Sequence, residues 1–339
     1  MRRLIAVLAC AAALAACTGQ PDDQVPAATA TTSSPSPTPT PSPEPTTSPL
    51  SGREGGVDTP VIVVKVDNTR PAQPHRGLPS ADIVYVEPVE WGLTRLAAVF
   101  STDVPTVVGP VRSARIGDLS MLAPYGSIAF AFSGAQQKLW PRLKASDFIL
   151  FSEDLGSPGF TRERGRYAPV NLMANPKAML KSAGTDVATS KDMGLTFDDA
   201  RPEGGSRARN VTARWPYSTV QFRWNSKAGA YDVWLNGSRS RDVDPPYVER
   251  ATSVIVQYVK EVDSGYGDKF GGRTPLPIQT GSGKGLVLRN GRAYKIEWSR
   301  TSAAQSTTYT RTDGSPIALD PGQVWIVLMD KTRKVTIVK

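Results

Sequence analysis

The chain is poor in the residues that carry much of enzyme chemistry. Of its 339 residues only two are cysteine, Cys10 and Cys17, and one is histidine, His75. That scarcity excludes a Cys/His zinc site and cysteine–histidine catalysis, and no metal or cofactor is expected. A serine triad would have to draw on His75, which sits in the proline-rich stretch "RPAQPHRG" and reads as a solvated loop imidazole. No Ser-x-x-Lys occurs, so the penicillin-binding pattern is missing too. "GSGKG" lacks the upstream glycine spacing and the following Ser/Thr of a phosphate loop, and reads as a tight turn. The net charge of +9 comes from basic residues scattered without interleaved aromatics, so nucleic acid is not an expected partner.

What is present begins at the N-terminus. Arg2 and Arg3 precede the apolar run Leu4–Ala13, and Leu14-Ala15-Ala16-Cys17 then has the form of a bacterial lipobox. Residues 1–17 read as a lipoprotein signal peptide, with Cys17 as the lipid attachment site. Two or three acyl chains, palmitate among them, give stable anchoring where one would be marginal. Cys10 leaves with the signal, so no disulfide is expected. Residues 18–58 are rich in Pro, Ser and Thr and read as a disordered tether. About forty residues at ~3 Å each reach on the order of 100 Å, enough to lift a folded body off a membrane. The expected location is the extracytoplasmic face of the bacterial cell membrane. There a basic body points to an anionic wall polymer, peptidoglycan or an envelope protein.

The remainder divides by pattern. Residues 59–202 mix strands and helices: "VIVVKVDN" reads as a strand buried on both faces, with "ADIVYVEPVE", "LTRLAAVFS" and "SIAFAFSG" as further strands. "NPKAMLKSAG" carries a helix cap at Asn175, a first-turn Pro176 and a stop at Gly184. The polar "DDARPEGGSRAR" marks a boundary, and residues 208–339 read almost entirely as strand, with a hairpin turn at Asn290-Gly291. The expected class is therefore α+β: a mixed, layered sheet/helix N-terminal domain followed by a mostly β C-terminal domain.

"GPVRSAR" raises the sharpest question. If Pro110 opens a helix, Arg112 and Arg115 share its first face at the positive end of the dipole, and an anion is needed. Two readings stand. The arginines, with Arg95, pair with Asp82, Glu87 or Glu90 of the same chain. Alternatively they bind an external phosphate or carboxylate together with Ser113 and the helix-start N–H groups. Asn68 and Gln73 leave the first strand near the same mouth. The first reading is expected to dominate, with some donor capacity left for a ligand. A glycosidase-like use of Asp67, Asp82 and Glu90 needs two of them to converge. Of the five tryptophans beyond residue 210, most are expected in the core rather than on a sugar platform.

The stretches "RPAQPHRGLPSADIVYVEPVEWGLTRLAAVF", "VGPVRSAR", "GSGKGLVLRNGRAYKIEW" and "PGQVWIVL" resemble the YerB-like bacterial lipoproteins, a family of two adjoining domains of unknown function. "GPVRSAR" and "GLTR" are the most specific matches, which adds Thr94 to the binding set of Asn68, Gln73, Glu90, Arg95, Arg112, Ser113 and Arg115. The resemblance implies a mixed layered sandwich of sheets and helices. It departs at Val86, where an acid is usual, and at Trp91-Gly92, where Gly-Gly is usual. The expected function is a lipid-anchored binding or scaffold protein of the cell envelope. The alternative is a carboxylate-dependent hydrolase or transferase acting on wall glycans.

Overall fold

The computed structural model describes residues 45–243 and 247–339, so the signal peptide, Cys17 and most of the tether lie outside the described residues. The early strands are β1 (Ile62–Asp67), β2 (Ile83–Pro88), β3 (Thr94–Phe100), β4 (Ala129–Phe132) and β5 (Ile149–Ser152). In β1 the β-branched run is buried on both faces, and its two-residue period divides it. Ile62, Val64 and Val66 join one core cluster, and Val63, with Val61 just before the strand, the other.

These strands do not close a domain of their own. They form five strands of a 12-stranded sheet whose other seven come from the second region of the chain. The join is strand Val324–Asp330, which pairs in parallel with β2 on one side and with strand Ser253–Gly267 on the other. Beyond it lie Gly281–Arg289, Arg292–Arg300 and Thr308–Arg311. A six-stranded sheet, with Asn210–Arg214, Thr219–Asn225 and Ala230–Leu235 at its centre, packs on one face through Val84, Phe222 and Trp325. Helix α1 (Ile116–Leu122), Leu139 and Leu143 cover the other face. The class is α+β, a mixed sheet with helices followed by a mostly β region. The polar segment around residues 203–207 is a chain crossing: Ser206–Arg207 pairs with Arg292-Ala293 of the large sheet. No helix among the described residues is long and apolar enough to cross a membrane.

Several local expectations change. Residues 45–58 are not tether. Thr47 bridges to Glu54, Leu50 is buried, and Ser51 and Arg53 both donate to the carboxylate of Asp82, at 2.6 and 2.7 Å. A buried charge at the entry to β2 needs those partners, and the preceding segment supplies them. No helix starts at Pro110. Pro110 and Val111 are extended, because their backbone bonds to Asp67 and Leu172, and the helix begins six residues later at Ile116. "GSGKG" is not a turn but the start of strand Gly281–Arg289, where its glycines admit close neighbours. A Cβ at Gly283 would lie 2.7 Å from the indole nitrogen of Trp298. His75 is buried rather than solvated, with Nε2 2.8 Å from the carbonyl of Asp67. Helix Pro176–Ala183 has its cap at Asn175 and its stop at Gly184. The hairpin turn holds Asn290 and Gly291 at φ 50° and 70°. Trp215, Trp298 and Trp325 are core residues, while Trp224 and Trp234 are half-buried.

Candidate functional site

On the helix-facing side of the large sheet the apolar rows end in charge. Val61, just before β1, and Val63 within it are followed on that face by Lys65 and Asp67. Ile83 and Tyr85 of β2 lead to Glu87, and Val99 and Ala97 of β3 lead back to Arg95. Register puts Asp67 opposite Arg95 and Arg95 opposite Glu87, so acid, base and acid stand side by side across three strands. All four of these side chains are buried. Above them runs "GPVRSAR", tied to the end of β1 by the Arg112 amide donating to the Lys65 carbonyl at 2.9 Å.

The arginines meet acids of the same chain. Arg115 grips Glu90 with two bonds, Nε to Oε1 at 2.6 Å and Nη2 to Oε2 at 2.7 Å. Thr274, from a hairpin 184 residues away in sequence, also donates to Glu90. Arg112 pairs with Asp67 at 3.1 Å. Lys65 bridges Glu87 and, at 2.6 Å, Asp118. The other oxygen of Asp118 accepts the backbone N–H of Arg115 at 2.6 Å. The anion at the helix start is thus Asp118 of the helix itself. Arg95 donates to the Ser113 carbonyl at 2.9 Å, and the Ser113 hydroxyl is 3.2 Å from that of Ser133.

The environment separates these groups electrostatically. Burial, with Asp118 nearby, pushes Glu87 up to about 7 against the pull of Lys65. Burial also works against the charge on Glu90. There the Arg115 bonds and charge, with Thr274, outweigh it and hold the carboxyl below its usual range. Burial and the flanking Arg115 and Arg112 push Arg95 down to about 9.

The predicted binding set therefore divides. Glu90, Arg95, Arg112, Ser113 and Arg115 come together. Asn68, Gln73 and Thr94 do not join them. The Asn68 amide donates to Thr94 at 2.7 Å, Thr94 meets Ser218 at 2.7 Å, and Gln73 donates to the Leu235 carbonyl at 3.1 Å. These three build a polar seam against the smaller sheet. The acids proposed to converge also separate, because Asp82 is satisfied by Ser51, Arg53 and the amides of Ser101 and Thr102. Sequence reasoning missed Lys65, Asp118 and Thr274. A lysine inside "VIVVKVDN" was the available signal, since a lysine in a strand buried on both faces requires acids. Nothing local to Thr274 connects it to Glu90.

Comparison with known proteins identifies relatives of the whole fold. A model for the N-terminal domain of a protein of unknown function (DUF3048) matches residues 46–189, and the model for its C-terminal domain matches 211–326. The protein named "Putative lipoprotein YerB" from Bacillus subtilis (strain 168) is 26% identical over 279 residues, 79% of this chain and 80% of that protein. The crystal structure of the YerB protein from Bacillus subtilis shares the fold. Its TM-score is 0.72 at 22% identity, covering 86% of this chain and 99% of that one.

Proposed function

The chain belongs to the two-domain DUF3048 family of YerB-like proteins, and from that premise we propose that it is a lipid-anchored binding or scaffold protein on the outer face of a bacterial cell membrane. The anchor is Cys17, in a lipobox context, and the similar Bacillus protein carries the name of a lipoprotein. One observation carries the binding or scaffold reading over the hydrolase. Asp67, Asp82, Glu87, Glu90 and Asp118 are each buried and each engaged by a cation of the same chain. A carboxylate pair that cleaves a glycosidic bond has to face an open cleft instead.

In this reading the "GPVRSAR" network fixes the join between the sheet and its helices. The positions left for an external anion are Arg112, whose side chain is 25% exposed, and the half-buried Ser113. A wall polymer, peptidoglycan or an envelope protein would supply that anion. The test of the anchor is Cys17→Ala. The variant should move from the membrane fraction to the medium, or stay unprocessed. Unchanged fractionation and unchanged mature mass would defeat the reading.

A further inference from the structure

A second collection of cations lies away from "GPVRSAR", at an open end of the cleft between the two sheets. There a groove of about 650 Å³ runs over strand Gly281–Arg289 and under the segment that leads to the last strand. Its floor is apolar: Tyr258, Ile278, Leu286, Trp298 and Val335. Three of these, Tyr258, Leu286 and Val335, pack against the core shared by the two sheets, so the groove continues that core to the surface. Its rim is cationic: Lys260, Lys284, Lys331, Arg333 and Lys334, all exposed. Among the described residues none of the five is in an ion pair, and no acid lines the groove. The nearest acids stand outside it. Glu297 is opposite Lys284 in register, and Asp330 and Glu261 lie behind Arg333.

The "GSGKG" stretch shapes this trough. Gly281 and Gly283 add no side chains to fill it. The indole of Trp298 packs directly on Gly283, and Lys284 stands on the rim beside Leu286. The last strand adds Ile337, 38% exposed, to the groove lining. Grooves of a few hundred Å³ with an apolar lining and few polar groups hold single small molecules. An apolar floor selects a hydrocarbon chain, and five exposed cations without an ion pair at its edge select a negative headgroup.

We infer that this groove binds one molecule of an anionic amphiphile, a phosphate carrying acyl or isoprenyl chains, with the chain on the Tyr258–Leu286–Val335 floor and the phosphate at the Lys284–Lys334 rim. The inference rests on the groove and stands whether or not Cys17 is lipidated. The experiment is calorimetric titration of the full chain with dioctanoyl phosphatidic acid below its micelle concentration. Dioctanoylglycerol and inorganic phosphate serve as parallel titrants. The charged amphiphile should bind saturably at one site, at least about tenfold tighter than either control. Lys284→Glu combined with Lys334→Glu, both exposed, should weaken it about tenfold or more with an unchanged melting temperature. Leu286→Glu should abolish it. Equal binding of phosphate alone would reduce the rim to an ordinary anion patch and overturn the inference, as would equal binding of the uncharged lipid. Binding to anionic vesicles that the soluble amphiphile does not compete away would mark a flat membrane contact instead and would also overturn it.

Discussion

Two groups of cations in this molecule are treated in opposite ways. Lys65, Arg95, Arg112 and Arg115 stand inside the body, among Asp67, Glu87, Glu90 and Asp118. Lys260, Lys284, Lys331, Arg333 and Lys334 ring an apolar groove that no acid lines. The difference follows from dielectric. A charge taken out of water has to find its counter-charge within the fold, or the fold loses several kcal/mol. A charge at the rim stays hydrated and can leave its neutralisation to another molecule. Arginine motifs in the sequence therefore do not by themselves mark a binding site. What matters is which face of which strand they stand on.

The comparison breaks most visibly at Lys65. Lys65→Ala strands Glu87 and Asp118 as two buried acids without their cation, and should cost about 3–5 kcal/mol in chemical denaturation. Lys284→Ala at the groove rim should stay within about 0.5 kcal/mol of the parent. Similar losses for the two variants would mean that the network is no more structural than the rim.

That contrast also shows how much was legible in the sequence. The alternating burial of β1, the cap and stop of helix Pro176–Ala183 and the Asn290-Gly291 turn are local, and local patterns of period and turn chemistry expressed them. The pairing of Glu90 with Arg115 was within reach, because both residues flank motifs and each needs a partner. The insertion of strand Val324–Asp330 beside β2 was not. It makes one sheet from two regions that composition separates, and parallel pairing across about 240 residues leaves no local trace. The same holds for Thr274 on Glu90 and for Ser51 and Arg53 on Asp82. The helix at Pro110 failed for a definite reason. Its backbone groups are taken by Asp67 and Leu172, and tertiary pairing overrides a first-position proline.

A smaller effect sharpens the boundary between structure and ligand at "GPVRSAR". Arg115→Ala and Glu90→Ala should each cost about 2–3 kcal/mol, since the pair is largely buried but not sealed. The double variant should cost less than the sum by about 1–3 kcal/mol, which is the coupling of the pair. Added phosphate should protect the parent and the double variant alike, because Arg115 is already spent on Glu90. Small additive losses, with phosphate protection abolished, would reassign Arg115 from the network to a ligand pocket.

A pH-dependent effect separates two carboxylates three residues apart. Glu90 is held below its usual range, so its contribution is fully present above about pH 4.5 and is lost as the pH falls through its folded value. Glu87 is pushed the other way, from 4.5 to about 7. Between those values the folded state holds a proton that the unfolded state has released, so stability falls as pH rises through that window. The slope from one such group is at most about 1.4 kcal/mol per pH unit. Glu87→Gln removes the titration while keeping the shape and a hydrogen-bonding side chain beside Lys65. The variant should therefore gain on the parent as the pH is raised from about 5 to 8, with the difference levelling off above 7. Denaturation midpoints of both proteins at a series of pH values measure it. A difference that stays flat, or that turns in favour of the parent at high pH, would mean that Lys65 keeps Glu87 ionised throughout. Glu87 and Glu90 would then be the same kind of buried ion pair.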